Sequence, residues 1–456
     1  MVHTYSLNGY NIVIDTNSGA ISVLDDVAFD VLEAIKDGVF EAIEMMIVSK
    51  HGYKAVREAY DEVMELKRQG LLFSEDTYEE LVETVDAREP VVKALCLHVA
   101  HDCNLRCKYC FADDGEYQGN RSLMSAKVGK ASIDFIIKNS RTRKNLEIDF
   151  FGGEPLMNFD VVKEIVAYGR SLEKIYNKNF RFTMTTNGIL LDEEKLEYIN
   201  EHMHNLVLSL DGRKEVNDNM RKTLNGKSSY DVIMPKFTRA AESRNQLDYY
   251  VRGTFTKENL DFSEDVMHMA DLGFKQISVE PVVADLNESY AITESDVEKI
   301  YKEYENLAIK IIKRREKGDY FNFFHFMIDL TGGPCVTKRL VGCGAATEYL
   351  AVTPEGDLYP CHQFVGKDEF KIGTVYDGVT DIKTRELFEK SNIYTKKGCK
   401  ECFAKFYCSG GCAANSYNES GDINKPYKIG CDLQKKRVEC AIMIKVHESF
   451  TGAENG

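Results

Sequence analysis

Strand-like and helix-like runs alternate through the middle of the chain. Six apolar runs rich in β-branched and aromatic residues predict strands, and they are Val91–Ala100, Leu146–Phe151, Phe180–Thr185, Leu206–Leu210, Tyr249–Phe255 and Gln276–Val282. Helical stretches such as Val161–Tyr176 and Asp296–Arg315 separate these runs. Since parallel strands need a crossover connection, the alternation predicts an α/β fold with a parallel sheet, either open or curled into a partial (β/α)6 barrel.

A different pattern occupies the first ninety residues. Tyr10–Asp15 and Ala20–Leu24 predict two short strands, and Thr16–Gly19 between them has the composition of a hairpin turn. Apolar side chains recur at intervals of three and four from Val56 to Leu66, which predicts a helix. Two or three strands with three helices resemble a winged helix-turn-helix module.

Charge decides what this module is expected to bind. Residues 1–90 contain 19 Asp and Glu against 7 Lys and Arg, which is most of the formal net charge of −15. A surface this acidic cannot neutralise phosphates, so we expect no nucleic-acid partner. An exposed strand edge can instead accept an extended peptide by β-addition, and the module is therefore predicted to dock a peptide.

The composition of the whole chain, 43% hydrophobic and 29% charged over 456 residues, is that of an ordinary globular protein. The first fifteen residues lack the charged and apolar regions of a secretory signal, and no run of about 18 apolar residues predicts a membrane span. We therefore expect a cytoplasmic location and no membrane partner. Three parts are predicted: the docking module in residues 1–88, the barrel in 89–320 and a cysteine-rich segment in 321–456.

Thirteen cysteines are placed unevenly along the chain. Four lie within residues 96–110 and nine within residues 335–440, and the 224 residues between Cys110 and Cys335 contain none. Disulfides rarely persist in the cytoplasm, so clustered cysteines there indicate metal binding. Both cysteine-rich stretches are therefore predicted to bind metal.

Cys103, Cys107 and Cys110 follow the first predicted barrel strand with CxxxCxxC spacing. Three thiolates at this spacing can hold three irons of a cuboidal cluster, whereas a fully ligated four-iron cluster takes four cysteines. The fourth iron is then open to a substrate, much as catalytic zinc sites keep an open position. A zinc site that recruits His98 and His101 is the alternative.

The segment CNLRCKYCF resembles the cysteine loop of the radical S-adenosylmethionine (SAM) superfamily, with Tyr109 as the aromatic residue before the last cysteine. The resemblance implies that Cys103, Cys107 and Cys110 carry a SAM-binding [4Fe–4S] cluster that generates a radical. It also implies a SAM pocket built from the motifs GGEP, TTNG and LSLDG and from one arginine beyond them. The residues concerned are Gly152, Gly153, Glu154, Pro155, Thr185, Asn187, Ser209 and Arg221.

Each motif has an implied part in this pocket. The backbone of GGEP meets the SAM amino group, and its glycines suit a close backbone approach. TTNG lines the same pocket. Ser209 and Arg221 hold the SAM carboxylate, because a guanidinium suits a bidentate contact. Arg221 is assigned by spacing alone, and a surface arginine is the alternative.

Seven cysteines in the last part of the chain resemble the SPASM extension of radical SAM enzymes, which binds two auxiliary clusters. The resemblance implies a distal cluster held by Cys399, Cys402, Cys408 and Cys431. It also implies a cluster nearer to the barrel, held by Cys343, Cys361 and Cys412. Cys335 either completes the nearer cluster or leaves it with an open iron. A pair of zinc-ribbon sites is the alternative, and Cys96 and Cys440 are expected in the core.

The three parts together most resemble the maturases of the "six cysteines in forty-five" (SCIFF) peptides of clostridia. The resemblance implies a radical enzyme that joins a cysteine sulfur to the α-carbon of a threonine in a ribosomally made peptide, through a 5′-deoxyadenosyl radical. The implied cofactors are three [4Fe–4S] clusters and SAM. The implied partners are a cysteine-rich precursor peptide, bound through its leader at residues 1–88, and a reductant such as flavodoxin or ferredoxin.

Two other classes of function stay open at this point. One is another radical SAM enzyme with a SPASM extension, such as a sulfatase maturase or a peptide maturase that forms carbon–carbon bonds. The other is a zinc-binding regulator with a winged helix, which is not an enzyme.

Overall fold

The N-terminal module is a three-stranded antiparallel sheet followed by helices. The computed structural model describes residues 1–86, 89–117, 119, 121–330 and 335–452, so the boundary predicted at residue 88 lies outside the described residues. The strands pair in the order β1 Val2–Leu7, β2 Tyr10–Asp15 and β3 Ile21–Leu24. The helices are α1 Asp26–Lys36, α2 Phe40–His51, α3 Tyr53–Arg68 and the short α4 Val82–Asp86.

The hairpin predicted at Thr16–Gly19 is confirmed, because β2 and β3 pair in antiparallel register. The fully buried Asp15 carboxylate accepts hydrogen bonds from the backbone N–H groups of Ser18 (2.9 Å) and Ser74 (3.1 Å). Gly19 turns the chain with a φ of +76°, a left-handed conformation that glycine adopts without strain. Asp15 therefore ties the hairpin to the chain that leaves α3.

The predicted parallel sheet forms the centre of the protein. Its strands lie side by side in the order β4, β7, β8, β9, β11, β12 and β13, all of them parallel. The strands of this region are β4 Ala94–His101, β5 Leu105–Cys107, β6 Ser122–Leu123, β7 Asn145–Gly152, β8 Asn179–Thr186, β9 Asn205–Ser209, β10 Arg221–Thr223, β11 Tyr249–Phe255, β12 Gln276–Pro281 and β13 Asn322–Phe323. Neighbours in the sheet follow one another along the chain, as in a partial (β/α) barrel.

Helices connect these strands, as the alternating pattern predicts. They are α5 Ala126–Asn139, α6 Phe159–Tyr176, α7 Glu193–His202, α8 Lys214–Met220, α9 Tyr230–Ser243, α10 Phe262–Asp271 and α11 Val297–Arg315. One face of the sheet is mostly apolar, and the rings of Phe150 and Phe182 stack there at 5.8 Å. The opposite face of the same strands carries half-buried polar residues such as Asp149 and Thr183, and it lines the inside of the barrel.

The cysteine-rich segment continues the central sheet. Its first strand pairs in parallel with β4, and the strands that follow add to it in antiparallel order. The strands are β14 Tyr349–Val352, β15 Asp357–Tyr359, β16 Gly373–Thr374 and β17 Gly378–Val379. The helices are α12 Val336–Val341, α13 Ile382–Glu389, α14 Lys405–Cys408, α15 Ala413–Ser420 and α16 Lys428–Thr451.

The 24-residue helix α16 joins the N-terminal module to the barrel. It packs along α11, and Arg315 of α11 forms an ion pair with the buried Glu448. On its other side, the Tyr5 hydroxyl of β1 donates to the carbonyl oxygen of Glu439 at 3.0 Å. Across the described ranges, no helix has both the length and the apolar character that a membrane span requires.

Candidate active site

The cysteine loop is held by a short ribbon that the sequence pattern does not reveal. After β4 the chain forms β5, which pairs in antiparallel register with β10, and this pairing sets Arg221 opposite Cys107. The backbone N–H of Lys108 extends the ribbon by donating to the carbonyl oxygen of Met220 at 3.0 Å. The ribbon therefore brings an arginine more than a hundred residues away beside the middle cysteine.

Cys103, Cys107 and Cys110 line one cavity of about 270 Å³ at the carboxyl ends of the barrel strands. Burial is the main cause that raises the pKa of the Cys103 and Cys107 thiols to about 12, and the neighbouring Cys110 contributes to the rise. These thiols lose their protons when a metal centre binds, because the thiolate is the ligand form.

Donor spacing distinguishes a cluster from a single metal ion. Within the described ranges, no three His, Cys, Asp or Glu side chains converge closely enough to hold one ion. A zinc ion binds each thiolate at about 2.3 Å and so draws its ligands close together. A cuboidal cluster holds each thiolate on a different iron and needs them farther apart. The three thiols line one cavity, where a cuboidal cluster would take each of them on a different iron.

Every residue predicted for the SAM pocket lines this same cavity. They are Tyr109, Gly152, Gly153, Glu154, Pro155, Thr185, Asn187, Ser209 and Arg221. The glycines are required by close packing, since a Cβ on Gly152 or Gly153 would lie about 2 Å from the carbonyl oxygens of Ala100 and Asp102. The GGEP turn therefore rests directly on the backbone that leads into the cysteine loop.

Glu154 links the ends of β7 and β8. Its fully buried carboxylate accepts hydrogen bonds from the Asn187 backbone N–H (2.8 Å), the Thr186 hydroxyl (2.7 Å) and the Leu156 backbone N–H (3.0 Å). The Asn187 side chain in turn donates to Asn104 Oδ1 at 2.7 Å, inside the cysteine loop. Glu154 thus positions the TTNG segment against the loop.

Asp211 is a site residue that the motif assignment missed, although it belongs to the LSLDG motif. It is fully buried and accepts hydrogen bonds from Arg221 Nη2 (3.0 Å), the Tyr109 hydroxyl (2.6 Å) and the Thr254 backbone N–H (2.9 Å). Burial alone would lower the pKa of Arg221, but the neighbouring Asp211 and Tyr109 raise it above its ordinary value. Arg221 is therefore a buried cation in the cavity wall, and the surface arginine considered as the alternative is wrong.

The far wall of the cavity carries further polar side chains that no motif indicated. Arg252 and Glu280 form an ion pair there at 3.0 Å, and His362 and Asn415 lie beside them. Burial opposes ionisation of Glu280, yet Arg252 brings its pKa below the ordinary value, so the carboxylate is ionised. Burial lowers the pKa of His362 to about 4, which leaves a neutral ring. Arg252 and Glu280 follow from the alternation of side chains on β11 and β12, a weak signal in sequence, whereas His362 and Asn415 come from the cysteine-rich segment.

The remaining cysteines fall into two spatial groups that match the interleaved ligand sets. In one group, burial raises the thiol pKa values of Cys361 and Cys412, and the nearby Cys343 adds to the rise. In the other group, burial raises those of Cys399, Cys408 and Cys431, and the nearby Cys402 adds to the rise. A second cavity of about 260 Å³ shares the segment from Glu280 to Val283 with the first and is lined by cysteines of both groups. The structure therefore joins the cysteine loop to the other cysteines through adjoining cavities.

Two family descriptions match this chain. The radical SAM superfamily matches residues 97–261, and an iron–sulfur cluster-binding domain (SPASM) matches residues 343–403. An uncharacterized protein of Methanocaldococcus jannaschii is 30% identical over 50% of this chain and 78% of its own length. The chain belongs to the radical SAM superfamily. It is therefore an enzyme, and iron–sulfur clusters with SAM are its cofactors, which disfavours the zinc-binding regulator.

Other relatives of this radical SAM enzyme have described activities. A cysteine-type anaerobic sulfatase-maturating enzyme of Clostridium novyi is 26% identical over 69% of this chain and 86% of its own length. The radical SAM cyclopropyl synthase TigE of Paramaledivibacter caminithermalis is 22% identical over 75% of this chain and 72% of its own length. The relatives thus differ in the reactions that their names describe.

Solved structures with the same fold include two radical SAM proteins. One, anSMEcpe with bound AdoMet, has a TM-score of 0.65 at 19% identity and covers 78% of this chain and 98% of its own. The other, Streptococcus suis SuiB bound to the precursor peptide SuiA, has a TM-score of 0.53 at 16% identity and covers 94% of this chain and 98% of its own. Both support the radical SAM α/β fold predicted from the motifs.

Three cysteines of the radical SAM chain stand apart from these groups. Cys96 and Cys440 are buried in the core, 3% and 0% exposed, as expected for free cysteines that pack as small hydrophobic residues. Cys335 is exposed and directly precedes α12. Its role as a fourth ligand of the nearer cluster stays a prediction.

Proposed function

We propose that this enzyme forms a thioether between a cysteine sulfur and the α-carbon of a threonine in a ribosomally made, cysteine-rich peptide. The observation that supports this most is the pair of adjoining cavities, which share the segment from Glu280 to Val283. One is lined by Cys103, Cys107 and Cys110, and the other by cysteines of the two C-terminal groups. A peptide held along this wall has the radical generator on one side and an electron acceptor on the other.

The chain's own residues would hold the cofactors as follows. Cys103, Cys107 and Cys110 bind a SAM-binding cluster, the GGEP backbone and Asn187 line the SAM pocket, and Ser209 with Arg221 binds the SAM carboxylate. When bound, the cluster and SAM supply a 5′-deoxyadenosyl radical. The enclosing wall excludes water and positions the peptide, which matters most because a primary carbon radical attacks whatever is near.

The overall step balances with one electron acceptor. A hydrogen atom leaves the threonine α-carbon, the cysteine thiol loses its proton, the carbon–sulfur bond forms, and one electron is left over. The ionised carboxylate of Glu280 lies in the cavity wall and can take the thiol proton. Clusters held by the two C-terminal cysteine groups would supply the acceptor for this electron.

The N-terminal module has one strand edge available for a leader peptide. In the described sheet, β1 and β3 are the outer strands. The β1 edge lies against α16, where His3 Nε2 is 2.9 Å from a Glu439 carboxylate oxygen and the His3 ring stacks on Phe403 at 3.6 Å. The β3 edge therefore remains for an extended peptide, which would pair with it by β-addition. The acidic surface around it favours a basic leader.

Sulfatase maturation is the second candidate function, because several relatives carry that name. SuiB, whose solved structure has a bound precursor peptide, covers 94% of this chain, and this coverage supports peptide maturation over sulfatase maturation. Coverage by anSMEcpe stops at 78% of this chain. A sulfatase-derived peptide offered to the enzyme should accordingly give no aldehyde product.

Mass spectrometry tests the proposal directly. Anaerobically purified enzyme, SAM and a reductant are incubated with a short cysteine-rich precursor peptide that contains both leader and core. We expect the product to lose two hydrogens and one alkylatable thiol, with the new bond mapped by fragmentation to a threonine α-carbon. Removing the leader should weaken binding of the peptide. An unmodified peptide, or a bond to another position, would contradict the proposed reaction.

A cysteine series tests the radical-generating site separately. Replacing Cys103, Cys107 and Cys110 together with alanine should abolish formation of 5′-deoxyadenosine and reduce the iron content from about twelve per chain to about eight. Cys440→Ala removes a buried thiol far from the loop and should change neither quantity. Persistent 5′-deoxyadenosine in the triple variant would exclude this loop as the SAM-binding site.

A further inference from the structure

A buried lysine lies between the two C-terminal cysteine groups. Lys396 is only 6% exposed, and its Nζ donates to the carbonyl oxygen of Gly410 at 2.8 Å. Gly410 belongs to the turn between Cys408 of the distal group and Cys412 of the nearer group. The contact is close, since a Cβ on Gly410 would lie 3.0 Å from the Lys396 Cδ. The ammonium group is thus fixed at the boundary between the groups.

Lys396 acts electrostatically on thiols of both groups. Burial raises the pKa of Cys399, Cys408 and Cys412, and the Lys396 charge opposes that rise in all three. Lys396 also lines a cavity together with Cys343, another member of the nearer group. One cation is therefore within range of both proposed auxiliary centres.

The charge of Lys396 has no carboxylate partner among the described residues. The other deeply buried lysine nearby, Lys405, is 2% exposed on its side chain and pairs with Asp76 at 2.5 Å. No salt bridge of that kind is formed by Lys396, whose contact is a neutral carbonyl. A buried charge is costly unless an opposite charge compensates it. Iron–sulfur centres ligated by thiolates carry negative charge and meet that need.

We infer that Lys396 is a shared electrostatic control of the two auxiliary clusters, which raises the reduction potential of both. Reduction adds one negative charge to a cluster, and a nearby cation in a low-dielectric interior stabilises the more negative state. Both centres are thereby made better acceptors for the electron left over by bond formation. The inference rests on the ligand sets proposed above, not on the identity of the product. Lys396 is a positioning residue, because it touches neither substrate nor a reacting atom.

Redox titration of the holoenzyme tests this inference. Lys396→Met removes the charge, and Lys396→Gln removes it while keeping a donor for the Gly410 carbonyl. Both should shift the midpoint potentials of the two auxiliary clusters to more negative values, as followed by electron paramagnetic resonance. The cluster at Cys103 should keep its potential and serves as the internal reference. Lys396→Arg should restore both auxiliary potentials.

Lys397→Met is the matched control. This neighbouring lysine carries the same charge but is exposed, so water and salt screen it. It should shift the auxiliary potentials much less than Lys396→Met does. Unchanged potentials in a Lys396 variant with full iron content would overturn the inference, as would a shift equal to that of the control. If Lys396→Met loses iron, the potentials of Lys396→Gln are used to test the inference instead. An iron content of about four per chain in the wild type would instead refute the ligand sets.

Discussion

The buried pair between Arg221 and Asp211 can be dissected with a double-mutant cycle. Asp211→Asn keeps the shape of the side chain and its Oδ1 acceptor, to which Arg221 Nη2 donates at 3.0 Å, but removes the negative charge. Arg221→Met removes the positive charge and leaves the buried Asp211 carboxylate with its hydrogen bonds from Tyr109 and Thr254 but without a compensating cation. The double variant removes both charges. We expect the double variant to be more stable than Arg221→Met, although it carries one substitution more.

The magnitudes follow from burial and distance. Asp211 is 0% and Arg221 12% exposed on the side chain, and at 3.0 Å their attraction is about 5 kcal/mol for an effective dielectric constant of about 20. Desolvation offsets most of that attraction in the intact pair. Loss of one partner leaves an uncompensated buried charge, so Arg221→Met should lower the free energy of unfolding by about 3–5 kcal/mol. Asp211→Asn retains a neutral hydrogen bond and should lower it by about 2 kcal/mol.

Two measurements on the same variants separate stability from binding. Urea unfolding of anaerobically purified protein gives the free energies, and calorimetry gives the dissociation constant for SAM. Arg221→Met and the double variant should both bind SAM about 10–100-fold more weakly, because a charge-assisted hydrogen bond is worth about 1.5–3 kcal/mol. Stability therefore recovers in the double variant while binding does not. Additive losses of stability in the cycle would refute the buried pair, and unchanged SAM affinity would refute the role of Arg221.

Two further predictions concern packing and pH. Gly153→Ala should reduce formation of 5′-deoxyadenosine at least about tenfold, because the new Cβ would lie 2.1 Å from the Asp102 carbonyl oxygen. Gly119→Ala is the control and should have no effect, since the nearest atom to its Cβ would lie at 3.4 Å. Equal activity of the two variants would contradict this packing. Burial and the adjacent Arg437 lower the pKa of His325 from 6.5 to about 3, so the folded state binds fewer protons than the unfolded state between these values. Acidification from pH 7 to 5 should therefore lower the free energy of unfolding by about 2 kcal/mol more in wild type than in His325→Asn. Urea unfolding at both pH values measures this difference, and equal pH profiles of the two proteins would exclude the lowered pKa of His325.

The central fold follows from the sequence because its strands and helices are long and repetitive. All six predicted barrel strands are present, with bounds that differ by up to about three residues, as in β4, which begins at Ala94 rather than Val91. The ribbon of Leu105–Cys107 and Arg221–Thr223 was not predicted, since three-residue strands pair across a long separation without any local periodicity. The helix Lys428–Thr451 was missed because it is buried on several sides and lacks one clear apolar face.

The site was predictable to the extent that its motifs are local. The residues predicted for the SAM pocket follow strand ends, where parallel folds gather their ligands, and all of them line one cavity. Asp211 and Glu280 were not predictable in this way, because each matters through an ion pair with an arginine from another strand. Asp211 pairs with Arg221, and Glu280 pairs with Arg252. Lys396 is a still harder case, since a lysine in a run of lysines is usually at the surface.

The pairing of β14 with β4 fixes the cysteine-rich segment against the barrel. In this parallel register, Tyr349 lies opposite Ala94 and Val352 opposite Leu97, so the following strand returns toward the cavity, where His362, the residue after Cys361, lines the wall. The rings of His362 and Phe151 lie 5.3 Å apart there, which joins the end of β7 to the nearer cysteine group. Because the sheet is continuous, the nearer cysteine group cannot move away from the barrel without breaking strand pairs. The fold itself therefore sets the separation between the cysteine loop and the nearer cysteine group.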